Sequence, residues 1–192
     1  MHLNKEEHIK TTAKDIFFLK GNLHATTQEI ADEAGVNRSL INYYFRSRDQ
    51  LFELVYNEAV ETMRNQLDNV IYSKVPFMDK LESLIEVYMN EILKYPYKES
   101  FLITEICSKN ILLKEKKKSH ALITFVDEVK SEMEKGTLKK SDPIHFVMNL
   151  FSLMAYPIIM APLYRKLFDL NKQTYADLLK ERKALVFRIL CD

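Results

Sequence analysis

The sequence predicts an all-α protein: an N-terminal three-helix helix-turn-helix domain joined through a long helix to a second all-helical domain, about nine helices in total. Three observations predict it. The 192 residues include only three glycines and five prolines, too few breakers for a chain of many strands and turns. Apolar residues recur at three- and four-residue intervals through most of the chain. Three capping-box signatures, each a polar cap followed three residues later by Glu or Gln, fall within residues 1–50.

The first helix is expected from Lys5 to Lys20, opened by Asn4 with Glu7 and closed at Gly21-Asn22; Ile9, Ala13, Ile16, Phe17 and Lys20 recur at helical spacing, with Phe17 pointing inward. Thr26 with Glu29 opens a short second helix that buries Ile30, Ala31 and Ala34 and stops at Gly35. Asn37 caps a third, with Leu40, Ile41 and Tyr44 on its inner side. Ser47 with Gln50 opens a long fourth helix carrying Leu51, Phe52, Val55, Ala59 and Met63. Small alanines at 31 and 34 let two helix axes approach closely, and Gly35 supplies the positive φ of a tight turn. That geometry presents the second helix of a pair to a DNA major groove.

Beyond Leu67 the apolar pattern marks a helix through Met78, Leu81, Ile85, Tyr88 and Ile92, broken near Tyr95-Pro96, and a further stretch from Lys98 to Ser108. Another begins at Lys114 or Ser119, carries Leu122, Phe125, Val126, Val129 and Met133, and ends at Gly136. Asp142-Pro143 opens an almost wholly apolar helix that breaks or kinks around Pro157 and Pro162. A last helix covers roughly Thr174 to Leu190. The expected division is residues 1–50 and 51–192.

The formal net charge is only +1, and in residues 1–60 acids outnumber bases, so no broadly basic domain announces a nucleic-acid partner. Distribution matters more. Arg38, Arg46 and Arg48 fall between Val36 and Arg48 with no acid among them, a compact cationic edge fit for a few phosphates. Cys107 and Cys191 fit no metal spacing or disulfide framework and read as free thiols of a reducing compartment. The five histidines form no metal spacing, and neither a glycine-rich phosphate loop nor a nucleophile elbow is present, so the chain is not read as an enzyme and calls for no cofactor. The acid-bearing start is not read as a signal peptide, and a cytoplasmic protein is expected. Residues 143–164 lack Lys, Arg, Asp and Glu and are long enough to span a bilayer; two prolines, His145, Asn149 and Ser152 favour a buried or interface helix, with no stable membrane partner.

Ile9, Ala13, Phe17, Gly21, Thr26-Thr27, Ile30-Ala31, Ala34-Gly35-Val36, Ile41 to Phe45, Arg48 and Leu51-Phe52, in this order and spacing, resemble the DNA-binding region of the TetR/AcrR family of bacterial transcriptional regulators. The resemblance covers a quarter to a third of the chain. It implies a homodimer on a near-palindromic operator of double-stranded DNA, with a small-molecule effector in the second domain changing the separation of the two reading heads. Three positions depart from the pattern. Asn42 stands where tyrosine is usual, Asn37 where a serine-like cap is usual, and Arg48 in place of a frequent lysine.

On that basis the expected DNA-binding residues are Thr26, Thr27, Asn37, Arg38, Ser39, Asn42, Tyr43, Tyr44, Arg46 and Arg48. Thr26 and Thr27 either cap alone or also hold a phosphate beside free amides. Arg38 is expected on a base or phosphate, Asn42 on adenine or phosphate, Tyr43 on a phosphate or thymine methyl, and Arg46 and Arg48 on the backbone. Phe45 and Phe52 are core residues joining the third helix to the fourth. Tyr88, Phe101, Phe125, His145, Met148 and Tyr156 are pocket candidates for an apolar or aromatic effector. Phe151, Leu178, Arg182, Leu185 and Ile189 are dimer-interface candidates, pairing the late helices with their copies in a four-helix bundle. An activator, a regulator without a ligand and a membrane-associated helical protein are the alternatives.

Overall fold

The computed structural model describes residues 4–101 and 120–191, and all their regular structure is helical. The helices are α1 (Lys5–Lys14, continued by a π turn over Asp15–Leu19), α2 (Thr27–Glu33), α3 (Arg38–Phe45), α4 (Arg48–Ile71), α5 (Phe77–Lys94), α6 (helical over residues 96–101), α7 (His120–Lys135), α8 (Pro143–Ile159), α9 (Ala161–Leu167) and α10 (Lys172–Cys191). Cys107, the remainder of the Lys98–Ser108 stretch and the expected helix start at Lys114 or Ser119 lie outside the described residues. The chain forms two compact units: residues 1–64 with 94–98, and residues 65–93 with 99–192.

In the first unit, the expected capping box at α1 is half made. Asn4 accepts from the Glu6 amide, while Glu7 turns to an ion pair with Lys10. The π turn was not foreseen. Across it three consecutive residues, Ile16, Phe17 and Phe18, are buried. These rings meet Phe52 edge-on or tilted, with centroids 4.8 and 6.1 Å away. The turn closes on Gly21 at φ +77, where the Asn22 amide reaches back to the Ile16 carbonyl. The Tyr97 ring lies so close that a Cβ on Gly21 would sit 2.9 Å from three of its carbons.

In the second unit, α8 packs against α7 and α10, with Phe146, Val147, Leu150, Met154 and Ile158 buried. The break in the apolar run falls at Met160, ahead of Pro162, with a 65° bend into α9. That short α9 brings the described helices to ten. Pro157 stays inside α8 because α10 compensates for it. Proline has no N–H for the carbonyl four residues earlier, here Leu153. Arg182 Nε donates to that carbonyl at 2.7 Å, and the Tyr175 hydroxyl donates to the Pro157 carbonyl at 2.6 Å. Helix α10 starts two residues before the expected Thr174, because the Asn171 side chain accepts from the Thr174 amide and caps it. Among the described residues, no single helix is long and apolar enough to cross a membrane. Helices α8 and α9 together have the length and composition, but are bent apart.

Two glycine substitutions separate backbone strain from steric conflict. Gly35, at φ +63, has open space where a Cβ would stand, so Gly35→Ala is expected to cost about 1 kcal/mol of strain alone. Gly21→Ala adds the Tyr97 conflict and should cost about 2–4 kcal/mol, part of it recovered by Tyr97→Ala. Urea denaturation of the three variants measures the ordering; equal losses at the two glycines would show that the ring yields freely.

Candidate nucleic-acid interface

The reading pair is built from its caps. At the start of α2, the Thr26 side chain accepts from the Glu29 amide while the Thr26 amide and hydroxyl both donate to the Glu29 carboxylate at 2.7 Å. Helix α2 ends in a Schellman motif: the Val36 amide returns to the Ala31 carbonyl and the Gly35 amide to Asp32, with Gly35 in the left-handed region. Asn37 then caps α3, its Oδ1 accepting from the Leu40 amide at 2.8 Å. His8 of α1 holds the turn, its Nε2 lying 3.0 Å from the Ala34 carbonyl.

Ile41 and Phe45 are buried under α3, and Leu40 and Tyr44 are half-buried. The opposite face carries Arg38, Ser39, Asn42 and Tyr43, all exposed, Tyr43 to 78%. Tyr43 stands edge-on to Tyr44 with centroids 5.2 Å apart, which supports its ring away from the helix surface.

The bases of this unit divide into engaged and free. Lys10 pairs with Glu7 and Glu58, Lys20 with Glu33, and Lys14 lies over the Tyr95 ring. Arg38 and Arg46 have no ion pair among the described residues, so they leave exposed positive charge at the two ends of α3. Arg48 is different. Its Nε donates to the Ala25 carbonyl, its Nη1 pairs with Asp49, and its guanidinium lies 5.2 Å from the Phe17 ring centroid and 4.8 Å from that of Phe52. The expected backbone-positioning arginine therefore ties α4 to the loop before α2.

Arg46 occupies a strained turn that sequence reasoning missed. It has φ +61 and ψ −41, and the Ser47 amide reaches the Phe45 carbonyl at 2.6 Å across it. This is close to the uncommon γ-turn with positive φ, which side chains other than glycine rarely adopt. The turn ends α3 and starts α4 within two residues, with the Ser47 hydroxyl accepting from the Gln50 amide. It places Arg46 directly after the helix that carries Asn42 and Tyr43.

The effector candidates do not converge. Tyr88 and Phe125 are buried in the second unit's core, Phe101 is half-buried, and His145, Met148 and Tyr156 lie on the exposed side of α8. An almost uniformly apolar helix gave no sign of which side faces the core. Tyr88 is bonded to the buried Glu99; burial pushes its hydroxyl pKa up, and the Glu99 charge and hydrogen bond add to that. Of the interface candidates, Leu178, Arg182 and Leu185 line an open groove of about 620 Å³ between α8, α9 and α10, walled by Tyr156, Tyr164 and Phe168. Ile189 is exposed beyond it, and Phe151 turns in against Tyr88 with centroids 5.3 Å apart. Among the described residues, no group of three or more His, Cys, Asp or Glu could hold a metal.

Capped short helices, a positive-φ turn between them and an outward polar face over an apolar one define a helix-turn-helix DNA-binding protein carrying a second helical unit. Residues 9–55 match the family model of the bacterial regulatory proteins, tetR family. "Probable HTH-type transcriptional regulator YttP" of Bacillus subtilis is 27% identical over 172 residues, covering 83% of this chain and 79% of that protein. The fold is shared with the ketosteroid transcriptional regulator KstR2 of Mycobacterium tuberculosis (TM-score 0.73, 13% identity, 100% of this chain and 97% of that one). It is also shared with the TetR family transcriptional regulator PfmR of Thermus thermophilus (TM-score 0.64, 14% identity, 98% and 97%). Residues 9–55 thus carry a reading head like that of the tetR family, and the fold is one that TetR-family regulators share, which supports a DNA-binding regulatory role.

Two measurements test the geometry of the head. Arg46→Gly should leave thermal stability unchanged or slightly raised, because it relieves the positive φ, as read by thermal denaturation. A clear loss of stability would show that the Arg46 side chain holds the turn. The Glu29 pKa is lowered, first by the Thr26 backbone amide and then by the Thr26 hydroxyl. Its stabilising contribution is thus present above the ordinary carboxylate value of 4.5 and is lost as pH falls through the lower folded value. Glu29→Gln should flatten the acid limb of unfolding below pH 4.5, followed by circular dichroism.

Proposed function

We propose that this chain is a repressor that binds a near-palindromic operator as a homodimer and is released by a small apolar or aromatic effector. The observation that carries the reading is the outer face of α3: Arg38, Ser39, Asn42 and Tyr43 stand exposed on a helix fixed at both ends. In this reading Arg38 meets a base edge or phosphate near the helix N-terminus. Asn42 bonds bidentately to adenine, Tyr43 presses on a thymine methyl or donates to phosphate, and Arg46 holds the strand. Thr27 and the free amides at the start of α2 hold a second phosphate, with Thr26 and Asn37 as caps and Arg48 as the internal tie.

The homodimer forms through α8 and α10. Ile144, Met148, Tyr156, Leu178, Leu185 and Ile189 are all exposed on these two helices, apolar side chains that a partner copy would cover. The effector reading rests on the proposed effector domain, residues 51–192, where Tyr88 and Glu99 form a buried polar pair. A structural neighbour is described as a ketosteroid regulator, in keeping with an apolar effector in this fold.

Selection of bound duplexes from a random pool tests the core of the proposal; an asymmetric site would overturn it. On the selected site, Asn42→Ala should lose about 1–3 kcal/mol and relax preference at one position of each half-site. An unchanged ranking of duplexes would remove Asn42 from base reading. Leu178→Glu should give a monomer by light scattering, with operator affinity reduced at least about tenfold; an intact dimer would place the interface elsewhere.

A further inference from the structure

Helix α10 turns one stripe toward the groove it shares with α8 and α9: Leu178, Glu181, Leu185 and Arg188, at steps of three, four and three residues. Such steps keep side chains on one face of an α-helix. All four residues are exposed. The stripe alternates leucine with charge, an acid before Leu185 and a base after it.

The charges beside this stripe are engaged within the chain. Asp177 pairs with Lys180 at 2.8 Å, Lys183 reaches Asn90 and Glu86 of α5, and Arg182 donates to the Leu153 carbonyl. The Glu181 and Arg188 side chains have no ion pair or hydrogen bond among the described residues. They stand about 10 Å apart along the helix, past the three- or four-residue neighbours that pair on one helix. The residues that α8 and α9 add to the groove carry no charge. Neither charge is answered there, and both are left to solvent.

A two-fold axis turns the stripe into its own complement. A residue on the axis meets its own copy, which excludes a charge and suits an uncharged side chain; residues at equal distances on either side meet each other. Where α10 crosses its copy in antiparallel fashion near Leu185, Glu181 lies four residues to one side and Arg188 three to the other. The acid of each chain then meets the base of the other. A parallel pairing would set acid on acid and base on base, which like-charge repulsion disfavours.

We propose that the groove receives α10 of a second copy of this chain, with Glu181 paired to Arg188 of the partner subunit, and Arg188 to the partner's Glu181, across an axis at Leu185. This rests on the homodimer proposed above and adds its register and its selectivity. The leucines supply apolar area, and the two reciprocal pairs supply the choice of partner. They admit a second copy and reject a chain in which either charge is reversed.

The test measures dimer dissociation of the full-length protein by sedimentation equilibrium, with folding followed by circular dichroism. Glu181→Arg sets base against base at both contacts, and Arg188→Glu sets acid against acid. Each should weaken the dimer about thirtyfold or more. The double variant Glu181→Arg, Arg188→Glu restores both pairs with their polarity exchanged and should return to within about threefold of wild type. Mixing the two single variants should give the heterodimer in preference to either homodimer, since only there does each charge meet its opposite. Should a charge-reversed variant not fold, Glu181→Gln with Arg188→Gln carries the test, and its dissociation constant should lose the salt dependence of wild type. Single variants that dimerise as tightly as wild type overturn the register alone. So do a double variant and a mixture that recover nothing, or a glutamine variant with unchanged salt dependence. A wild type that is monomeric at every concentration overturns it together with the homodimer reading.

Discussion

Helices of seven and eight residues are too short to persist in water on their own, because nucleation costs more than so few hydrogen bonds return. The first unit is organised around that constraint. Helices α2 and α3 exist because their neighbours supply both ends: the Thr26–Glu29 box, the Schellman turn at Gly35, the Asn37 cap and the γ-turn at Arg46. The burial of Ile30, Ala31, Ile41 and Phe45 then adds the apolar contribution that caps alone cannot. Arg48 joins these ends from outside, with one hydrogen bond to the loop before α2 and its guanidinium lying on the Phe17–Phe52 cluster. The polar face of α3 is left free because nothing within the unit needs it.

The same need to satisfy backbone groups recurs in the second unit with longer reach. Pro157 removes a donor from α8, and α10 answers with Arg182 and Tyr175. Helix α4 ends without a carbonyl partner, and α5 answers with Lys80. In each case a side chain distant in sequence completes a helix that its own residues leave incomplete. Tertiary order is thereby recorded in a few directed bonds as well as in apolar packing.

That difference in reach explains what could be read from the chain. The helix starts at Thr26, Asn37 and Ser47 and the glycine stop at 35 are signals spaced within three or four residues, and all appear where their patterns placed them. The π turn was not legible, since it follows from how Phe17 and Phe18 fit against Phe52 and no local pattern demands it. Which face of α8 lies inward was hidden by its composition: Ile144, Met148 and Tyr156 are as apolar as the buried Leu150 and Met154. Arg48 looked like a phosphate ligand because a sequence shows its charge and conceals the Ala25 carbonyl and Asp49 beside it. Lys80 carried no signal at all, one lysine among 28 Lys and Arg.

The pair of bonds around Pro157 also bears on the order of assembly. Because Arg182 and Tyr175 fasten α10 to α8 within one chain, the outward surface of these helices is already shaped before another copy arrives. In the homodimer proposed above, two chains would meet there on surfaces that each has already shaped, and would lose little conformational entropy beyond their side chains.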